Sequence, residues 1–308
     1  MTASMTLPPS PPATPLATRG IGEVALVESL PETVAAVFWA LTHLGNPYLL
    51  LAMVALAYLF GDRVGLPRRS AAFALGLGLC AIGITIGLKH LFALPRPPIS
   101  YREGYGFPSG HALGSTVFWG GVAVLATRGR WRRRLLLAGG VIATVALSRV
   151  VIGVHYLVDV VAGVGVGLAF LAAALALGPG VSPDGPTGAL ARPRHRDVTA
   201  LFSVATALGL AALLAAPGAN ELLLGVGTAA GATLAWHRFG RRATDVTVPV
   251  AGPTLAVGGG GLAVVLGAMA GAAKLTESAP VILVAGAAGA VCLLWLPLAV
   301  AGRDGASD

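Results

Sequence analysis

Apolar runs alternate with short polar breaks along most of the chain. Five runs precede a longer polar segment and four follow it; they lie near 47–61, 70–91, 109–127, 135–153, 156–177, 198–216, 220–236, 249–272 and 279–301. About 20 apolar residues cross the hydrocarbon core of a bilayer as a helix. The pattern therefore predicts an all-α fold, a polytopic transmembrane helical bundle.

The two ends of the first block are less regular. Glu23, Glu28, Pro31 and Glu32 interrupt residues 22–45, so an interfacial helix and a short membrane span both remain open there. Pro and Thr without an apolar stretch predict a disordered tail over 1–21 rather than a signal peptide. Pro, Gly and charge predict a polar linker over 178–197, between a membrane domain at 22–177 and a four-helix extension at 198–308.

Composition agrees with a membrane protein. The chain is 56% hydrophobic and 11% charged, with a mean hydropathy of +0.80, far from the usual values for a soluble domain. Its net charge of +8 comes from small basic clusters between apolar runs. Because a nucleic-acid-binding protein usually carries a basic stripe or tail, no nucleic-acid partner is expected.

The basic residues also predict a topology. Fifteen of the 21 Lys and Arg residues fall in alternate connections, at 62–69, 128–134, 178–197, 237–243 and the C-terminal tail. Lys and Arg concentrate on the cytoplasmic side of membrane proteins, which explains the arginines of 128–134 better than lipid binding does. The intervening connections at 92–108 and 148–155 are therefore expected to face the extracytoplasmic side of the cell membrane.

Those two connections hold an unusual set of polar residues. Lys89 ends one apolar run, and Arg96 follows between prolines that stiffen the backbone. Ser109, Gly110 and His111 open the next run, where free backbone N–H groups and the helix dipole favour an anion. Ionisable residues beside lipid-facing segments indicate function, and phosphate is the expected ligand.

A second string completes the pattern. Arg149 ends one run, His155 opens the next, and Asp159 lies one helical turn later on the same face. A carboxylate placed this way orients an imidazole and stabilises its cation, so His155 is the candidate nucleophile and His111 the proton donor to the leaving oxygen. Three cations can neutralise the phosphate oxygens. We therefore expect no metal and no cofactor.

The strings Lys89–Pro97, Pro108–His111 and Ser148–Asp159 resemble the three signature motifs of the type 2 phosphatidic acid phosphatase superfamily, which includes glucose-6-phosphatase and the vanadium haloperoxidases. The likeness covers about residues 40–177, which would form a phosphatase core of five to six helices. It implies a phosphohistidine mechanism in which His155 is the nucleophile and His111 the general acid. The phosphate ligands it implies are Lys89, Arg96, Ser109, Gly110 and Arg149.

The leading hypothesis is hydrolysis of a phosphate or diphosphate on a membrane lipid, phosphatidate-type or isoprenyl. A haloperoxidase would be soluble, which the apolar runs oppose. The rival is a non-enzymatic membrane protein that binds or transports lipid phosphates. Tyr101, Arg102 and Tyr105 either contact the headgroup or form a solvated loop. The extension has no ionisable residue at mid-span, so helix packing or oligomerisation is its expected role.

Overall fold

The computed structural model describes residues 19–183, 188–248 and 252–301. These ranges contain no strand, which confirms the all-α expectation. Eleven α-helices follow one another, with a short 3-10 helix at Thr42–Gly45: α1 Glu23–Glu28, α2 Glu32–Leu41, α3 Pro47–Val64, α4 Arg68–Phe92, α5 Gly110–Leu125, α6 Trp131–Val151, α7 Leu157–Leu177, α8 His195–Ala215, α9 Asn220–Asp245, α10 Gly252–Leu275 and α11 Ala279–Ala301.

Six of these helices are long and apolar enough to cross a membrane, namely α4, α6, α7, α8, α10 and α11. Glu32–Gly45 and Pro47–Gly61 meet at 44° and pass the same criteria only together, as either a broken seventh span or a re-entrant loop. Only the short α1 precedes this pair. The chain is therefore a multi-pass membrane protein.

The break before α3 has a local cause. Asn46 has an extended backbone, and its side-chain oxygen accepts hydrogen bonds from the N–H groups of Tyr48 and Leu49 at 2.9 and 3.4 Å. Pro47 then occupies the first helical position, where a missing N–H costs nothing. A new helix therefore begins here instead of continuing the line of the 3-10 helix.

α4 is the centre of the bundle, and it packs against α3, α5, α8 and α9. Its buried residues include Phe73, Leu77 and Cys80. The extension is thus joined directly to the core, with Gly76 of α4 facing Leu201 of α8. Glycines on α9 and α11 lie against the other helix's backbone, as small residues do in tightly packed membrane helices.

The segment 178–197 is also attached to the core over its described residues. Leu190 donates its N–H to the carbonyl of Val124 at 2.8 Å, and Arg134 donates to the carbonyl of Gly188 at 2.6 Å. Residues 184–187 of this segment lie outside the described ranges, as do residues 1–18 of the predicted tail and 249–251 and 302–308 of the predicted extension. The limits of the predicted domains stay predictions.

One predicted connection is helical. The basic stretch 237–243 was expected to be a loop, but α9 continues to Asp245. Arginine is a good helix former, and its long side chain can reach water from the end of a membrane helix. The apolar run therefore ends near Trp236, whereas the helix continues to Asp245.

The up-and-down order of the core helices puts four helix ends together. α4 and α6 end where α5 and α7 begin, and the loop 93–109 connects α4 to α5 at that end. All three motif strings lie there. The N-terminal residues 19–23 reach the same end, where Glu23 accepts a hydrogen bond from the N–H of Leu157.

Candidate active site

His155 and Asp159 are paired as the spacing predicted. His155 lies in the connection 152–156, two residues before α7, so it does not open that helix as the sequence suggested. Asp159, the third residue of α7, reaches back to it. The Asp159 Oδ2 atom lies 3.4 Å from His155 Nδ1 and accepts the N–H of Tyr156 at 3.1 Å. Both side chains are buried.

The contact at the second ring nitrogen of His155 fixes the tautomer of the imidazole. Arg96 Nη1 lies 3.2 Å from His155 Nε2. Because a guanidinium can only donate, Nε2 must accept, and the ring hydrogen belongs on Nδ1, facing the carboxylate. Burial lowers the pKa of His155 to about 3; the hydrogen bond to Asp159 opposes this shift, and the charge of Arg96 adds to it. The ring is therefore neutral at physiological pH, with its Nε2 lone pair toward the cations.

The three predicted cations converge on this end of the bundle. Lys89 Nζ donates to the carbonyl of Tyr105 at 2.9 Å, and Arg96 Nη1 donates to that of Val154 at 2.9 Å. Arg149 is 1% exposed, and its Nη1 donates to Thr42 Oγ1 at 2.8 Å. Within the described ranges none of the three forms an ion pair with a carboxylate.

Two buried donors at the site also lack partners among the described residues, Arg149 Nε and Ser109 Oγ. A buried polar atom without a hydrogen bond is costly. Such atoms beside uncompensated cations indicate a place where an anion with several acceptor oxygens would be held. Phosphate has that chemistry.

The start of α5 is pressed against α4. A Cβ added to Gly110 would lie 2.7 Å from Thr85 Cγ2 and 3.9 Å from Lys89 Cε. Only glycine allows the first N–H groups of α5, which have no acceptor within the helix, to come this near Lys89. His111 follows in the first turn, with its Cδ2 close to Gly45 of the 3-10 helix.

The predicted headgroup contacts lie on the rim. Tyr101 and Tyr105 are 60% and 38% exposed, and the Arg102 guanidinium lies 5.8 Å from the Tyr101 ring centre. Tyr105 contributes its carbonyl to Lys89, while its ring packs edge-on against His90. The exposure of these side chains fits both the headgroup contact and the solvated loop that the sequence leaves open.

Sequence reasoning missed Arg19. Its Nε donates to Asp159 Oδ1 at 2.7 Å, its Nη2 donates to the carbonyl of Pro95 at 2.8 Å, and its side chain is 9% exposed. A single arginine in a Pro- and Thr-rich segment has no periodic neighbours that would mark it. It falls within the predicted tail 1–21, of which residues 19–21 are described and make defined contacts.

Comparison with known proteins gives two matches. Residues 69–181, which hold all three motif strings, match the PAP2 superfamily. The chain is also similar to the crystal structure of a transmembrane PAP2 type phosphatidylglycerolphosphate phosphatase from Bacillus subtilis, with 21% sequence identity and a TM-score of 0.42. The match covers 49% of this chain and 79% of that one. No curated protein matches the chain.

Proposed function

We propose that the protein is a membrane phosphatase that hydrolyses a phosphate monoester or diphosphate on a lipid, and the match of residues 69–181 to the PAP2 superfamily supports this. The observation that carries the proposal is the orientation of His155. Its neutral ring is held by Asp159 on one side, and it presents Nε2 to Arg96 on the other.

The first chemical step is attack by His155. Its Nε2 forms a bond to phosphorus while the bond from phosphorus to the lipid oxygen breaks, and His111, protonated in the complex with the anionic substrate, gives a proton to that oxygen. Asp159 stabilises the positive charge on the imidazole ring. The lipid alcohol, or the lipid monophosphate when the substrate is a diphosphate, then leaves, and the phosphoryl group stays on His155.

Water completes the reaction. His111, now neutral, takes a proton from a water molecule whose oxygen attacks phosphorus, and the nitrogen–phosphorus bond breaks. Inorganic phosphate leaves, and both histidines return to their starting states. The same two rings therefore serve both half-reactions, with His111 alternating between acid and base.

We assign the neutralisation of the phosphate's negative charge to cationic side chains of the protein. Lys89, Arg96 and Arg149 would bind the non-bridging oxygens, together with Ser109 Oγ and the first N–H groups of α5. Removing one such preorganised donor typically lowers the rate about 100-fold to 1000-fold. Because cations perform the work that a divalent metal would otherwise perform, the proposed reaction is metal-independent.

A lipid substrate fits the position of the site at the helix ends, where a headgroup can enter while its tail stays in the bilayer. The proposed substrates are phosphatidate-type lipids and isoprenyl phosphates. The distribution of Lys and Arg supports placing this end of the bundle on the extracytoplasmic side of the cell membrane.

The test is phosphate release by purified protein in detergent with EDTA. The substrates are phosphatidate, phosphatidylglycerophosphate, and isoprenyl mono- and diphosphates, and the variants are His155→Ala and, as a matched control, His237→Ala. His237 is exposed on α9 and lies outside the three motif strings. We expect EDTA-resistant activity that only His155→Ala abolishes, and an acid-labile phosphohistidine in the wild type. A folded wild type inactive on every substrate would favour the rival, lipid-phosphate binding or transport without catalysis.

A further inference from the structure

A short N-terminal arm, residues 19–23, lies across the start of α7. Its Arg19 guanidinium is held over the Tyr156 ring, 4.8 Å from the ring centre, and donates to the carbonyl of Pro95. Glu23 Oε1 accepts the N–H of Leu157 at 3.0 Å, which satisfies one of the free donors at the start of α7. The arm therefore touches both the loop 93–109 and α7.

Arg19 contacts Asp159 on the side away from His155. Arg19 Nε donates to Oδ1 at 2.7 Å, whereas Oδ2 accepts from the N–H of Tyr156 and faces His155 Nδ1 at 3.4 Å. The two carboxylate oxygens thus have separate tasks. With Oδ1 held by Arg19, Oδ2 stays beside His155 Nδ1.

The ion pair with Arg19 also compensates the negative charge of Asp159. Asp159 is 0% exposed, and a buried carboxylate is stable only when paired and hydrogen-bonded. His155 is neutral, so it cannot supply the opposite charge before attack. Among the described residues, Arg19 is the cation that forms an ion pair with Asp159.

We propose that Arg19 is a positioning residue of the active site, which holds Asp159 ionised and turned toward His155. The proposal rests on the proposed phosphohistidine chemistry. Arg19 acts through Asp159 and does not touch the substrate. Its loss should therefore affect the chemical step and leave substrate binding almost unchanged.

The test compares Arg19→Ala, Arg19→Lys and, as the control, Glu28→Ala, an exposed residue of α1. Loss of a hydrogen bond to a charged group predicts a fall in kcat of about tenfold to a hundredfold for Arg19→Ala, with KM within about twofold. Arg19→Lys should recover part of kcat, and added guanidinium should partly rescue Arg19→Ala. Glu28→Ala should match the wild type.

A double-variant cycle separates positioning from general stability. If Arg19 acts through Asp159, adding Arg19→Ala to Asp159→Asn should lower kcat no further. Additive losses, an unchanged kcat in Arg19→Ala, or a higher kcat from release of an inhibitory arm would each overturn the inference while the wild type stays active. A wild type with no activity that depends on His155 would overturn the proposed function as well.

Discussion

Gly110→Ala tests how closely the start of α5 must approach α4. The new Cβ would lie 2.7 Å from Thr85 Cγ2, whereas unstrained carbon contacts are about 3.5–4.0 Å. The two helices must therefore separate by about 1 Å, or Thr85 must leave its position. Overpacking of this kind costs about 1–3 kcal/mol.

Gly110→Ala should lower activity as well as stability. Lys89 Cε lies 3.9 Å from the same Cβ position, so separation of the helices moves the first N–H groups of α5 away from Lys89. A shift of about 1 Å in a catalytic arrangement can cost about 100-fold in rate. We expect Gly110→Ala to lower kcat by about that factor.

The same measurement on matched variants identifies the cause. Thr85→Ser removes the methyl group that the new Cβ would meet, so the double variant should regain most of the lost kcat. Gly114→Ala is the control, because a Cβ there meets nothing within 4 Å. Phosphate-release kinetics and thermal midpoints in detergent provide both readouts. A Gly110→Ala variant with wild-type kcat, or a double variant no better than the single one, would refute this reasoning.

Two further predictions concern stability. The folded pKa of His155 is about 3, below its unfolded value of about 6.5. The contribution of His155 to the free energy of unfolding is therefore complete above pH 6.5 and is lost as the pH falls toward 3. Near pH 5.5 this free energy is lower by about 1.4 kcal/mol. The thermal midpoint of His155→Asn should therefore fall less than that of the wild type between pH 7.5 and 5.5, and an equal fall in both proteins would contradict the assignment. Arg134 donates to the carbonyls of Ala123 and Gly188, so Arg134→Ala should cost about 1–2 kcal/mol, whereas the exposed Arg133→Ala should leave the midpoint unchanged. Equal midpoints for the two variants would show that these carbonyl contacts contribute little.

The pattern of apolar runs located eight of the eleven described helices to within about four residues, because a membrane span must be both long and apolar. It also predicted that Lys89, Arg96 and His155 lie at one end, since antiparallel helices bring alternate ends together. It did not predict the length of α9, where residues with good helix propensity continue the helix beyond the apolar run, or the contacts of Arg134. Arg134 binds backbone carbonyls, and because every residue has one, no sequence pattern identifies these acceptors.

Arg19 was missed for a different reason, and its place explains how the charges of the site are divided. Asp159 lies at the same end as three cations that have no carboxylate partners among the described residues. A carboxylate left unpaired there would compete with phosphate for those cations. Because Arg19 approaches from outside the core and takes Oδ1, Lys89, Arg96 and Arg149 remain available to an incoming anion. The sequence separates these partners by 140 residues, so only the folded chain reveals that the negative charge of the proposed dyad is neutralised by a residue outside the three motifs.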